Sequence, residues 1–150
     1  VLAVIAAQDV INIELKGITI ADIPLLFNYL DNAKKTLNLS FKQLLLSSFN
    51  HQLLQAINQQ RPEFSLGALT ASLPLSNAKF AEQLNATSAN IILDYVSKDF
   101  VDDAHQRGLN VYVYTVDKLD DIKRLKAMGV DGIFANNPKQ AKAYIQQLNS

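Results

Sequence analysis

Six times along the chain a short apolar or β-branched run is followed by a longer helical pattern, with few residues between, and this rhythm constrains the fold more than any other feature. Alternating 2-residue and 3.6-residue periodicity predicts strands at Ile11 to Leu15, Gln43 to Ser47, Ser65 to Leu69, Asn90 to Leu93, Val111 to Val116 and Gly132 to Ala135. The first helix spans Thr19 to Asn32, with Pro24 in its opening turn and Ile23, Leu26, Phe27 and Leu30 on one face. Asn50 caps a second that buries Leu53, Leu54 and Ile57 and stops before Pro62. Asn77 to Leu84 is a third, with Phe80 and Leu84 inward. Ser97 caps a fourth carrying Phe100, Val101 and Ala104 and ending at Gly108. Asp117 caps a fifth, with Leu119, Ile122, Leu125 and Met128 inward, closed by Gly129. Asn137 and Pro138 open the last, whose apolar face is Tyr144, Ile145 and Leu148.

Regular β-α alternation implies a parallel sheet covered by helices. An open doubly wound sheet and a barrel both fit, and six units fall about two strands short of a closed (β/α)8 barrel. Nothing resembles a linker or a domain boundary. Lys+Arg and Asp+Glu both number 14, and a balanced charge argues against nonspecific nucleic-acid binding, which needs a basic surface. No run is long and apolar enough for a transmembrane segment. The absence of cysteine excludes disulfides, thiolate metal sites and cysteine nucleophiles. Val1 to Ala7 reads as the last turns of an amphipathic helix. A chain opening on valine is expected to have had something before it.

The first strand carries the chemistry. In Ile11-Asn12-Ile13-Glu14-Leu15-Lys16 the isoleucines and leucine share one face and Asn12, Glu14 and Lys16 the other. Strands covered on both faces usually read as continuous apolar runs, so three polar residues on one face need a reason. If the apolar set packs on helices, the polar set points into a barrel lumen near its C-terminal mouth, where barrel enzymes place their sites. Glu14 and Lys16 stand about 6–7 Å apart along the strand. That spacing suits a carboxylate on a divalent metal and an ammonium on a phosphate oxygen bridged to it. It equally suits an ion pair with no chemistry.

At this point the residues resemble a family. INIELKG, LLLSSFNHQLLQAI (Leu44 to Ile57), FVDDAHQRGLNVYVYTVD (Phe100 to Asp117) and MGVDGIFANNP (Met128 to Pro138) resemble, in order, segments of the glycerophosphodiester phosphodiesterases. The resemblance implies a (β/α)8 TIM barrel of which this chain, residues 1–150, supplies the C-terminal six βα units. It implies hydrolysis of glycerophosphodiesters to an alcohol and sn-glycerol 3-phosphate with a divalent cation, Mg or Ca. It implies that Glu14 is a metal ligand, that Lys16 contacts the substrate phosphate, and that Phe49 and Tyr114 line the pocket for glycerol, with Leu69 at a strand end near the same mouth. Tyr114 stands where the family usually has tryptophan, Asp117 where asparagine is common, and Ala135-Asn136 where Thr-Asp is usual. The family's His-Arg-Gly segment, its E-x-D metal pair and its second catalytic histidine are absent here. No catalytic residue is therefore assigned, and the stretch alone is expected to be inactive.

His51, at a helix start, and His105, near a helix C-terminus, are expected to be structural, the latter through the helix dipole. Ser47 and Ser48 read as polar strand-end residues, because no G-x-S-x-G elbow or nearby base accompanies them. Asp94 reads as a solvated loop residue, Gly132 as a close approach of strand to helix, and the Lys123, Arg124 and Lys126 cluster as a solvated helix face. Without a visible export signal the expected location is cytoplasmic. An incomplete barrel would leave strand edges open to self-association, so a non-catalytic module is the competing reading. Another phosphate-handling barrel enzyme is a third.

Overall fold

The computed structural model describes residues 10–148, so the helix expected over Val1 to Ala7 lies outside the described residues. The described residues divide into two compact units, the first ending at Ala68 and the second beginning at Leu69.

In the first unit, β1 (Ile11–Glu14), β2 (Leu44–Ser48) and the start of β3 (Ser65–Thr70) pair in chain order, all parallel. α1 (Ile23–Leu37) follows β1, and α2 (His51–Gln60) follows β2. The register sets Glu14 beside Ser47 and Ser47 beside Gly67, and sets Ile13 beside Leu46 and Leu46 beside Leu66. Side chains alternate faces, so the first row and the second lie on opposite sides. On the second side Leu46 and Leu66 are fully buried, together with Leu53, Leu54 and Ile57 of α2, while Ile13 is half-buried. Transfer of such side chains from water is worth about 1.5–3 kcal/mol each, which makes this interior the main stabilising term of the unit.

Two helix boundaries depart from the sequence reading. The first helix opens with a 3-10 turn at Ile20–Asp22, in which Thr19 and Asp22 form a capping box, and the α-helix continues five residues beyond Asn32. It stops at Asn38, which takes the left-handed φ of 51° that asparagine tolerates. Asn50 caps α2 as expected, accepting from the Leu53 amide at 3.0 Å. Behind α2, the Arg61 guanidinium lies about 5 Å from the rings of Phe27, Phe41 and Phe64 (5.1, 5.1 and 5.0 Å to their centroids) and donates two hydrogen bonds to Asp31. Arg61 thereby holds the Asp31 and Glu63 carboxyls below the usual carboxylate range. This arrangement ties α1 to the end of α2 by stacking as well as charge.

In the second unit, β4 (Ser88–Ile92), β5 (Asn110–Tyr114) and β6 (Gly132–Phe134) again pair in chain order and parallel. They alternate with α3 (Lys79–Gln83), α4 (Lys98–Gln106), α5 (Leu119–Met128) and α6 (Pro138–Gln147). Phe100, Val101 and Ala104 of α4 are fully buried with Ile91, Val111 and Val113, as the periodicity requires. Ser97 and Asn137 cap their helices, and Gly129 closes α5 at φ 84°.

Four expectations are corrected here. Asp117 does not cap α5: the N-cap is Lys118, and the Asp117 carboxylate accepts instead from the backbone and side-chain amides of Asn136, both at 2.8 Å. Gly132 does make a close approach, but to the Tyr112 ring of the neighbouring strand rather than to a helix. In α3, Phe80 is only half-buried, and Ala78 and Ala81 take the innermost places. The last helix buries only Ala141; Ile145 is exposed and borders an apolar cleft with Ile122, Leu125 and Ile133.

A doubly wound sheet reverses its strand order at a switch point. The order is strictly sequential within each unit, the arrangement of a singly wound, barrel-type sheet.

Candidate functional site

The two faces of β1 separate as its alternation demands. Ile11 and Leu15 are buried, while Asn12, Glu14 and Lys16 are exposed. Gly17 follows at φ 67°, a conformation glycine adopts without strain, and turns the chain away just past the polar pair. The structure brings the predicted acidic and basic residues together: Lys16 Nζ lies 3.3 Å from Glu14 Oε1. The lysine side chain keeps 75% of its surface and the glutamate 32%, so a pair this open to water contributes little to stability. The ion pair foreseen as the bland alternative is thus present.

Beside Glu14 the same face holds a feature the sequence concealed. Ser47 is completely buried, and its hydroxyl has no hydrogen-bond partner among the described residues. Gly67, the next residue in that row, offers no side chain to it. Its neighbour Ser48 is accounted for structurally: the hydroxyl donates to the Leu15 carbonyl at 3.0 Å and accepts from the Asn50 amide at 3.1 Å, tying β1 to the start of α2. The Ser-Ser pair shows two polar strand-end residues, but only the register tells which one shares the face of Glu14. Phe49 follows directly and is half-exposed.

Tyr114 and Leu69 belong to the second unit. Leu69 is buried. Tyr114 ends β5, its phenol donating to the Thr70 carbonyl at 2.7 Å, and its own carbonyl accepts from the Leu93 amide at 2.8 Å. The Tyr114–Thr115 peptide bond is cis. An aromatic residue at this strand end is therefore held at both its tip and its backbone. The sequence marks the aromatic but not the carbonyl that anchors it.

His105 sits in the last turn of α4, where a cationic side chain suits the dipole, and its Nε2 lies 2.9 Å from Asp131 Oδ2. The same Asp131 oxygen accepts from the Val111 amide at 2.7 Å. His105 thus joins the end of α4 to the start of β6 and stands at the N-terminal ends of the strands. Asp94 is exposed, as expected, and the Lys123 and Arg124 side chains make only long surface pairs with Asp120 and Asp121.

Among the described residues, no three or more His, Cys, Asp or Glu side chains lie together so as to hold a metal ion. One carboxylate does not fit a magnesium or calcium ion, each of which takes six or more oxygen ligands. These residues alone therefore do not form a divalent-cation site.

Comparison with known proteins agrees with the geometry. A solved structure from Silicibacter pomeroyi, 20% identical, superposes with a TM-score of 0.79 over 91% of this chain and 50% of that one. An Oleispira antarctica phosphodiesterase, solved in complex with the product sn-glycerol-3-phosphate, is 22% identical, with a TM-score of 0.75 over 90% of this chain and 54% of that one. The fold is therefore part of a (β/α)8 TIM barrel, of which this chain supplies six βα units. Residues 5–140 match the model of the glycerophosphoryl diester phosphodiesterase family, and the chain belongs to that family. A glycerophosphodiester phosphodiesterase of Caldanaerobacter subterraneus is 28% identical over 130 residues, 86% of this chain and 52% of that protein. The chain spans about half the length of the curated relatives it matches. Among the described residues, no helix is long and apolar enough to cross a membrane.

Proposed function

We propose that residues 1–150 are the C-terminal portion of a single barrel domain whose parent enzyme hydrolyses glycerophosphodiesters to an alcohol and sn-glycerol 3-phosphate. The observation that carries this reading is the Glu14–Lys16 pair on the exposed face at the C-terminal end of β1, in a chain of this family. Among the described residues Lys16 pairs with Glu14 in an ion pair open to water, so a phosphate oxygen can take its solvated ammonium. Phe49 offers an aromatic surface suited to glycerol carbons, and Tyr114, in the second unit, is a side chain of the same type. Glu14 supplies one oxygen ligand to a divalent cation, Mg or Ca, whose other ligands, like the acid-base groups, come from residues of the parent outside this set. A cytoplasmic location completes the proposal, and cell fractionation tests it.

The test is release of sn-glycerol 3-phosphate from glycerophosphocholine. Protein expressed from the whole reading frame should release it, and the isolated 150-residue chain should not. Turnover by the isolated chain, or none by the intact protein with Mg or Ca, would overturn the reading. One observation favours a second reading alongside it: β6, three half-buried residues long, pairs only with β5 among the described residues and leaves one edge open. Such an edge invites a second copy. A monomeric mass for the isolated chain in solution would exclude that.

A further inference from the structure

Ser47 carries a polar group that the proposed reaction does not use. The side chain is fully buried, and its hydroxyl has no hydrogen-bond partner among the described residues. An unsatisfied buried hydroxyl costs stability that alanine, of nearly the same size, would not lose. A serine in such a place points to a partner met in another state of the site.

The strand register supplies that partner. Glu14 is paired with Ser47 on one neighbouring strand, and Gly67, paired with it on the other, has no side chain to offer. All three lie in one row on one face of the sheet. Adjacent strands are about 4.8 Å apart. A glutamate carboxylate, three bonds beyond its Cβ, crosses that gap by changing rotamer. In this structure it is turned along its own strand instead, with Oε1 3.3 Å from Lys16 Nζ. That pair is open to water and holds the carboxylate only weakly. A hydroxyl donating to a carboxylate makes a charge-assisted hydrogen bond, stronger than one between neutral groups.

We infer that Ser47 is a positioning residue, the alternate partner of Glu14. When an anion takes the Lys16 ammonium, the Glu14 carboxylate leaves Lys16 and accepts from the Ser47 hydroxyl. One side-chain movement then withdraws a negative charge from beside the incoming phosphate and satisfies the buried hydroxyl. No covalent bond changes. The identity of the anion, a phosphate group, rests on the phosphodiesterase reading above, which this exchange deepens.

Calorimetric titration of the intact protein with inorganic phosphate, in the absence of divalent cation, reads the exchange. Ser47→Ala should weaken phosphate binding about tenfold, the scale of one hydrogen bond to a charged group. Its urea midpoint should stay fixed or rise, because an unsatisfied hydroxyl has gone. Adding Glu14→Ala to Ser47→Ala should restore binding to the parent level or better, since Lys16 then has no competing carboxylate. A merely structural role for Ser47 would not be rescued in this way. Unmoved binding in Ser47→Ala, weakened binding that Glu14→Ala does not restore, or no phosphate binding by the parent overturns the inference. Release of sn-glycerol 3-phosphate from glycerophosphocholine is followed separately. If the parent with Mg or Ca releases none, the phosphodiesterase reading falls, and the phosphate titration still decides whether Glu14 exchanges Lys16 for Ser47.

Discussion

Replacing Gly132 by alanine probes the layering of the second unit's sheet directly. A Cβ at this position would stand 2.9 Å from Tyr112 Cδ1 and 3.2 Å from Cε1. Carbon atoms in ordinary contact are about 3.5–4.0 Å apart, so the ring must retreat by roughly 0.6 Å or more. Both close atoms belong to a rigid ring, and its edge already meets Phe134 at 6.2 Å between centroids. Overpacking of this kind costs about 1–3 kcal/mol. Alanine also narrows the unfolded ensemble, returning about 0.4–1 kcal/mol. The net expectation is a loss of about 0.5–2 kcal/mol, visible as a lower midpoint in urea followed by far-UV circular dichroism. In a Tyr112→Leu background the clash is gone, and Gly132→Ala should become neutral or slightly stabilising. Stability unchanged in the parent, or an equal loss in both backgrounds, would refute the idea that the ring dictates the glycine.

Two further outcomes follow from local chemistry. Asn50→Ala removes the acceptor for the Leu53 amide and should cost about 1 kcal/mol in the same denaturation assay, with α2 fraying first in hydrogen exchange. Asp103 accepts from Arg107 Nε at 2.9 Å and from the Ala78 amide at 2.9 Å, and the Arg107 guanidinium holds its carboxyl below the usual range. A carboxyl with a lowered folded pKa contributes stability that is present above its unfolded value near 3.9 and is lost as pH falls through the folded one. Asp103→Asn should therefore lose about 1–2 kcal/mol at pH 7 and show a shallower decline in stability between pH 5 and 3 than the parent.

What the sequence displays and what it hides divide along physical lines. Helix interiors were legible wherever burial is strong: Leu53, Leu54 and Ile57 in α2 and Phe100, Val101 and Ala104 in α4 follow a 3.6-residue stripe because one face meets the sheet. The stripe in α6 misled, because periodicity shows which residues could be buried, and Ile145 lies at the edge of an apolar cleft that leaves 38% of it exposed. Caps were legible where a short polar side chain is free to turn back on the helix, as at Asn50, Ser97 and Asn137. Asp117 has the same chemistry, but two amide donors of Asn136, nineteen residues away, outcompete the local ones. The candidate site divides similarly. Alternation alone put Asn12, Glu14 and Lys16 on one face of β1. The orphan hydroxyl of Ser47, the tie from Tyr114 to Thr70, and the His105–Asp131 contact each depend on register or on residues far apart in the chain, which no local pattern encodes.

Substrate turnover by the intact enzyme carrying Glu14→Gln or Lys16→Met tests most directly whether the exposed end of β1 is where a phosphodiester is handled. Each substitution should lower kcat/KM for glycerophosphocholine by about a hundredfold or more, the scale of losing a charged contact to the reacting phosphate, with the urea midpoint almost unmoved because the pair is open to water. Activity within a few-fold of the parent in both variants would show that Glu14 and Lys16 form nothing more than a surface ion pair.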